Sequence, residues 1–326
     1  MAHRAGWAPG LAVILVAASA LGACDSNEGS SSPRSDQRPP LTSGPAIPEA
    51  RGEVAGALWA AKIAVAGGFP GINQSSDRLD LFDLSSGTWS LGPTLPHHYD
   101  HSSLAEVNGR LYLVGGYTES FSNPTNEVWS LGRGDTTWTD EPDLATRRGA
   151  LATASAGGKL VALGGVDENR TVLASTEIFT PGVGWTMGPD LSIPREHVGA
   201  AATGETVYAI AGRNVDGATA AVESLVVGQE EWQAEPDLHD VRSGIGAATT
   251  ASGLVCTGGG EVLGQRTVAS IECLDGGRWQ RVAAMRVPRH GLAVVAKGDR
   301  VHFVAGTPTT ASFEASDAHE VLTVEP

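Results

Sequence analysis

The chain has 326 residues and a mass of 33.5 kDa, enough for two average domains or one large β domain. Its formal net charge of −15 at pH 7 argues against nucleic acid as a partner, because phosphate binding requires a basic surface. The 42 glycines, together with only 18% charged residues, favour short strands and tight turns over long solvated helices.

Residues 1–23 are predicted to be a secretory signal, because His3 and Arg4 precede an apolar segment too short to span a bilayer. The following Leu21-Gly22-Ala23-Cys24 resembles the lipobox of bacterial lipoproteins, in which the cysteine is lipidated. The resemblance implies an exported bacterial lipoprotein, anchored to the inner or outer membrane of the cell envelope through Cys24 alone. An ordinary signal peptide that contains a cysteine is the alternative. Residues 24–38 are almost devoid of apolar side chains and are predicted to be a flexible tether.

From residue 39 to residue 326 the chain repeats a unit of about 48 residues, which is typical of repeat architectures. Each unit ends on two small residues, here called the closing pair: Gly67-Gly68, Gly115-Gly116, Gly164-Gly165, Ala211-Gly212, Gly258-Gly259 and Ala305-Gly306. A tryptophan stands 26 residues before five of these pairs: Trp89, Trp138, Trp185, Trp232 and Trp279. Four of the tryptophans have a proline four residues later: Pro93, Pro142, Pro189 and Pro236.

Each repeat predicts four strands. The first is rich in small residues, as in 149–154 and 246–250, and the second is an apolar run that ends at the closing pair. The third carries an acidic residue among apolar ones, as in 78–84 and 222–226, and the fourth contains the tryptophan. Small residues in the first strand suit the crowded axis of a propeller. The tryptophans are predicted to be structural and not an aromatic platform for sugars.

The closing pairs, the acidic third strands, the spaced tryptophans and an arginine before the first strand together resemble the kelch repeat. The resemblance covers residues 39–326 and implies an all-β fold, a six-bladed kelch-type β-propeller with one four-stranded blade per repeat. The chain ends before a sixth tryptophan, whereas Leu41 stands 26 residues before Gly67. We therefore predict that residues 39–44 supply the outer strand of the last blade and close the ring.

One position, 16 residues before each predicted closing pair, is the first candidate for ligand binding. It is occupied by Arg51, Tyr99, Arg148, Arg195, Arg242 and Arg289. Because it precedes the inner strand, a ring of arginines is predicted at one mouth of the channel, where it would suit a carboxylate. The alternative is that these arginines bond backbone carbonyl groups between blades. The residues after the closing pairs vary and are expected to set specificity: Phe69, Tyr117, Val166, Arg213, Gly260 and Thr307.

His101, Tyr117 and Arg213 complete the predicted binding set. The run from His97 to His101 offers several ligand atoms but lacks a regular zinc spacing, so it is interpreted as a polar turn with one histidine facing the pocket. No metal and no cofactor are predicted. Cys256 and Cys273 lie on neighbouring predicted strands of one repeat and either form a disulfide or remain two buried thiols.

The preferred functional interpretation is a binding module, for a protein or for an acidic or glycan ligand, with catalysis left open. The alternative is a periplasmic sugar-modifying enzyme similar to the sialic-acid (N-acetylneuraminate) epimerase, which is also a six-bladed kelch protein. In that case Glu53, His101, His197 and His290 could serve as acid or base. A copper oxidase resembling galactose oxidase is disfavoured, because the four tyrosines do not supply its tyrosine ligands.

Overall fold

Each predicted repeat forms one antiparallel sheet of four strands, and six such sheets form the blades of a propeller. The computed structural model describes residues 41–72, 74–118, 123–310 and 314–325. These residues include no α-helix, and therefore no helix long and apolar enough to cross a membrane. The predicted all-β six-bladed propeller is confirmed. The predicted signal peptide, Cys24 and the tether lie outside the described residues.

The first three blades follow one another along the chain, and their strands run in sequence order from the axis outward. Blade 1 comprises Ala55–Trp59, Lys62–Ala66, Leu79–Asp83 and Thr88–Leu91. Blade 2 comprises Ser103–Val107, Arg110–Val114, Val128–Leu131 and Thr139–Glu141. Blade 3 comprises Ala152–Ala156, Lys159–Leu163, Thr176–Thr180 and Gly184–Met187.

The second half of the ring repeats this order, with a different origin for its last strand. Blade 4 comprises Gly199–Thr203, Thr206–Ile210, Val222–Val226 and Gln233–Glu235. Blade 5 comprises Gly246–Thr249, Val255–Gly258, Ser270–Asp275 and Arg278–Ala284. Blade 6 comprises Ala293–Lys297, Arg300–Val304 and His319–Thr323, with Thr42–Ser43 as its outer strand.

Three two-stranded ribbons stand at the loops that leave the closing pairs. They pair Tyr99–Asp100 with Tyr117–Thr118, Arg213–Asn214 with Gly217–Ala218, and Glu261–Val262 with Arg266–Thr267. Their positions matter for the site, because the first residue after a closing pair begins the second or only strand of each ribbon on the channel side.

Small residues in the inner strands let the blades converge on the axis. A Cβ atom added to Gly56 would lie 2.4 Å from the Cβ atom of Ala293, on the neighbouring inner strand. A Cβ atom added to Gly246 would lie 2.6 Å from a methyl carbon of Val294. The predicted small-residue strand is thus a consequence of close packing between blades.

The closing pairs join each blade to the next through the backbone. The second residue of each pair has a positive φ and donates its N–H to the carbonyl oxygen of the residue that precedes the next inner strand. The six bonds are Gly68 to Tyr99, Gly116 to Arg148, Gly165 to Arg195, Gly212 to Arg242, Gly260 to Arg289 and Gly306 to Arg51.

In the fifth repeat the predicted closing pair is wrong by one residue. Gly258 is the last residue of the second strand, and Gly259-Gly260 occupies the turn, with φ values of 75° and 106°. Three consecutive glycines hid the inserted residue, because the spacing from Trp279 and Trp232 fits either pair. The residue that follows the pair is therefore Glu261 and not Gly260.

The tryptophans form a second set of contacts between blades. Each indole Nε1 donates to the carbonyl oxygen of a proline in the preceding repeat: Trp89 to Pro45, Trp138 to Pro93, Trp185 to Pro142, Trp232 to Pro189 and Trp279 to Pro236. At the sixth joint the place of the tryptophan is taken by Leu41, which is buried in the same apolar cluster as Ala283. The tryptophans are thus structural, as predicted.

Blade 6 closes the ring by pairing the two ends of the chain. Thr42 pairs with Val321 and Ser43 with Glu320, both antiparallel. The carbonyl oxygen of Pro45 also contacts Nδ1 of His319, at 3.1 Å. In blade 5, Cys256 and Cys273 stand opposite each other on adjacent strands and are joined by a disulfide, which resolves the alternative left open by the sequence.

Removal of residues 39–48 is expected to destabilise the propeller strongly. The deletion exposes the edge of the strand His319–Thr323 and removes buried Leu41 and Ile47, together with the acceptor of Trp89. A loss of several kcal/mol should lower the melting temperature by about 10 °C or more. Deletion of residues 25–36 is the matched control, and similar melting curves for the two proteins would contradict this closure.

Candidate functional site

The arginines predicted to ring the channel mouth are inside the blades. Each of the five is fully buried. Each guanidinium donates to the carbonyl oxygen of the first closing-pair residue of its own blade and to the acidic residue of the third strand. The pairs are Arg51–Asp80, Arg148–Glu177, Arg195–Glu223, Arg242–Glu272 and Arg289–Glu320.

The prediction of a basic ring open to ligands is therefore wrong. The alternative, that these arginines bond backbone carbonyl groups, is closer to the structure, although the side chains bond within one blade and only their own carbonyl oxygens bridge to the preceding blade. Tyr99 departs from the pattern in blade 2. It is buried, its hydroxyl donates to Glu127 at 2.5 Å, and it accepts a hydrogen bond from Nε1 of Trp129.

Adjacent arginines in blade 3 allow this structural role to be measured. Arg148→Met should destabilise the protein by about 3–5 kcal/mol, because it leaves Glu177 buried without its cation. Arg147→Met should change stability by less than about 1 kcal/mol, because Arg147 is half-exposed and pairs with Glu168 at 3.7 Å. Urea unfolding of both variants checks the difference, and equal midpoints would contradict the assignment.

A cavity of about 420 Å³ opens at one end of the channel. Its wall is formed by the residues that follow the closing pairs: Phe69, Tyr117, Val166, Arg213, Glu261 and Thr307. Its floor is formed by Glu53, His101, His197 and His290. The predicted site residues His101, Tyr117 and Arg213 are therefore brought together, whereas the five buried arginines and Tyr99 do not line the cavity.

The floor is built at the position two residues after each arginine or Tyr99. In all six blades this residue has a left-handed backbone: Glu53, His101, Ala150, His197, Gly244 and Gly291. Their backbone groups form a ring around the axis, in which His101 N donates to Glu53 O and Gly291 N donates to Gly244 O. The ring is closed by Val54 N, which donates to Gly291 O at 3.2 Å. Side chains at this position therefore project into the channel from every blade that carries one.

The carboxylate of Glu53 is surrounded by three imidazole rings from three other blades. Nδ1 of His290 lies 3.0 Å from Oε1, Nε2 of His101 lies 3.5 Å from Oε2, and Nε2 of His197 lies 4.0 Å from Oε2. The rings of His101 and His197 contact each other edge to face, with centroids 4.8 Å apart. Gly291 makes room for this arrangement, because a Cβ atom there would lie 2.5 Å from Cδ of Glu53.

A second layer of carboxylates holds the rings from behind. Nδ1 of His101 contacts Asp100 at 2.6 Å, and Nδ1 of His197 contacts Glu196. Arg213 donates to both Glu196 and Glu261, so its charge is already paired. Asp100, Glu196 and Glu261 were not recognised from the sequence. The available signal was an acidic residue directly before a histidine, which occurs at Asp100-His101 and at Glu196-His197.

The electrostatics of the cluster separate its histidines. Burial lowers the pKa of His101, but the carboxylates of Glu53 and Asp100 outweigh it and the pKa is raised. The pKa of His290 is raised in the same way by Glu53. Burial lowers the pKa of His197, and Arg213 adds to the effect. Burial alone would raise the pKa of Glu53, but the three imidazoles hold it well below its usual range.

The surroundings of the cavity are acidic and not basic. Glu53, Asp100, Glu196 and Glu261 stand against two guanidiniums, those of Arg170 and Arg213. Four carboxylates and two arginines give these groups a net charge of −2 when the imidazoles are neutral. The site can therefore exchange protons through its imidazoles and carboxylates, or hold a cation. The residues that could ligate a metal ion are Glu53, His101 and His197.

Comparisons with known proteins agree with the fold. No family model matches the chain. Kelch domain-containing protein 8B of Rattus norvegicus is 30% identical over 113 residues, 31% of this chain and 31% of that protein. Kelch-like protein 35 of Mus musculus is 26% identical over 138 residues, 42% of this chain and 23% of that protein. The chain thus matches less than a third of the length of these relatives.

A solved structure, that of YjhT, extends the similarity to most of the chain. It has a TM-score of 0.76 and 16% sequence identity, and the match covers 86% of this chain and 97% of YjhT. At this identity the likeness concerns the fold alone. Together, the repeat matches and the structural match support the identification of the chain as a kelch-type six-bladed β-propeller.

Proposed function

We propose that this kelch-type propeller is a lipid-anchored protein of the bacterial cell envelope that binds a compact, hydroxyl-bearing molecule in the mouth cavity and acts on it as a sugar-modifying enzyme. The observation that carries the proposal is the carboxylate of Glu53 held among three imidazoles at the cavity floor. This function was the alternative from the sequence, where a binding module was preferred.

The cavity has the dimensions of a small-molecule site. Its volume of about 420 Å³ lies within the range of known ligand pockets, roughly 300–1,000 Å³. Phe69, Tyr117 and Val166 give the wall an apolar part, whereas the floor is polar. A sugar ring, with apolar C–H faces and hydroxyl groups at its rim, matches this division.

The floor cluster is costly and has no role in holding the blades together. Non-glycine residues with a left-handed backbone cost about 1–3 kcal/mol each, and Glu53, His101 and His197 all adopt it. Blades 5 and 6 have Gly244 and Gly291 at the same position, so the ring does not require these side chains. Neighbouring acids and bases within 4 Å of one another are suited to proton transfer to and from a substrate hydroxyl.

The charge of the cavity changes the kind of ligand that was expected from the sequence. An acidic ligand was predicted from a basic ring, but that ring is buried and paired with carboxylates. Arg213 is bonded to Glu196 and Glu261, and the groups around the floor are acidic. A neutral or cationic hydroxyl compound therefore fits the bare cavity better than a free carboxylate does.

A protein partner is the second candidate, favoured by the exposed apolar tips of three loops on the cavity side. Ile72, Val215 and Leu263 are 69%, 92% and 55% exposed, and each lies between the second and third strands of its blade. Exposed apolar side chains around a cavity are typical of recognition surfaces. These loops would capture a protein segment, with the cavity receiving one of its side chains.

Catalysis is tested by following the interconversion of sugar anomers by proton NMR with full-length protein. The panel comprises glucose, glucosamine, glucuronate and N-acetylneuraminate. We expect acceleration with at least one sugar and a loss of about 100-fold or more in Glu53→Gln, because that variant keeps the shape and removes the charge. Glu168→Gln is the matched control, since Glu168 is 62% exposed outside the cavity floor and loses the same charge.

The outcomes of this experiment separate the candidates. Sugar binding without acceleration would support a binding module, and neither binding nor acceleration would remove the sugar proposal. Capture of protein segments that is lost in Leu263→Ser, with no sugar response, would support the protein partner.

Anchoring at the envelope is tested through Cys24. Cys24→Ala should abolish labelling by a radioactive fatty acid and release the protein from membrane fractions, because the anchor is expected to be the sole membrane contact. Cys256→Ala together with Cys273→Ala is the control for loss of cysteine in general. A Cys24→Ala protein that stays with the membrane would contradict the anchor.

A further inference from the structure

We infer that Glu53, His101 and His197 bind one divalent first-row transition-metal ion at the floor of the mouth cavity. The inference concerns the same cavity as the proposed function but does not depend on it, because an ion can bind there whether or not the protein converts a sugar.

The ligand atoms already lie close to the required arrangement. The three groups offer a carboxylate oxygen and two imidazole nitrogens, all within 4.8 Å of one another. Metal–ligand bonds of about 2.0–2.2 Å place neighbouring ligand atoms roughly 3–3.5 Å apart. Nε2 of His101 is 3.5 Å and Nε2 of His197 is 4.0 Å from Oε2 of Glu53, so a movement of less than about 1 Å closes the site.

The outer nitrogen of each ligand ring is held by a carboxylate, as in metal-binding histidines. Nδ1 of His101 contacts Asp100, and Nδ1 of His197 contacts Glu196. A proton on Nδ1 directs the lone pair of Nε2 towards Glu53 in both rings. Arg213 lies 3.4 Å from Nε2 of His197 and must turn away when an ion binds, while keeping its bonds to Glu196 and Glu261.

A fourth imidazole supplies an independent sign that something belongs in the centre. His290 is only 8% exposed, and its Nδ1 has no hydrogen-bond partner although Oε1 of Glu53 is 3.0 Å away. One carboxylate oxygen of Glu261, at 3.7 Å from Nε2 of His290, is also buried without a hydrogen bond. Buried polar atoms without partners are rare because each is costly, and they point to a missing ligand.

The charge balance favours a doubly charged ion. The four carboxylates and two guanidiniums around the floor leave a net charge of −2 with neutral imidazoles. A divalent cation would neutralise this charge. Two imidazoles with one carboxylate suit ions such as Zn²⁺, Mn²⁺ or Fe²⁺, and leave coordination positions open towards the cavity. Those positions would take a hydroxyl or carboxylate oxygen, so an anionic sugar becomes acceptable once the ion is bound.

The test is metal binding by the full-length protein in detergent. After treatment with EDTA and dialysis, ZnCl₂ and MnCl₂ are titrated separately and followed by calorimetry, with metal content checked by mass spectrometry. We expect about one ion per chain for at least one metal, with roughly micromolar or tighter affinity. Glu53→Gln and His101→Gln should weaken binding by about 100-fold or more.

Asp100→Asn is the second kind of variant, because it leaves all three ligands in place. It should weaken binding by about 10–100-fold through loss of the carboxylate behind His101. The control is His97→Gln, which removes a half-exposed histidine of the same segment and should leave the affinity unchanged. Melting curves of each variant confirm that the propeller is intact.

Absence of stoichiometric binding would overturn the inference, and so would affinities that survive in Glu53→Gln and His101→Gln but fall in His97→Gln. The proposed function fails separately. A protein that binds the ion but neither binds nor converts any sugar keeps the metal site and loses the enzymatic role.

Discussion

The fold depends on one buried ion pair that is repeated around the ring. In five blades an arginine just before the inner strand extends its guanidinium to the acidic residue of the third strand and to the carbonyl group of the closing pair. Its own carbonyl oxygen accepts a hydrogen bond from the preceding blade. One residue thus fixes the inside of its blade and the joint to its neighbour. A lone buried charge would be very costly, so arginine and acid must be kept or lost together.

The same constraint creates the functional site. Because the arginine is fixed, the chain turns two residues later into a left-handed conformation at the same height in every blade. A side chain at that position faces the channel, and the ring tolerates glycine, alanine, histidine or glutamate there. Structural residues and site residues are therefore neighbours in sequence with opposite fates, as Glu196 and His197 show beside the buried Arg195. The blades supply identical supports, and individual blades supply the chemistry.

Closure of the ring determines whether this site exists at all. Glu53 belongs to blade 1 and contacts His290, which precedes the inner strand of blade 6. These two blades are adjacent only because the outer strand of blade 6 comes from the start of the domain. The contact of Trp89 with Pro45 and the burial of Leu41 strengthen the same joint. A weakened closure would therefore be expected to disturb the floor of the cavity as well as the outer rim.

The sequence alone determined the architecture, because the period, the closing pairs and the tryptophans are local patterns that recur in register. It also identified Glu53, His101, His197 and His290 as candidate acids and bases, and the varied residues after the closing pairs, apart from Glu261, which the glycine triplet displaced by one. The tertiary structure decided which side chains face the channel. Spacing places Arg195 and His197 near the same mouth, but only backbone conformation sends one into the blade and the other towards the axis. The convergence of residues 53, 101, 197 and 290 likewise required the closed ring, because no local pattern links positions so far apart in the chain.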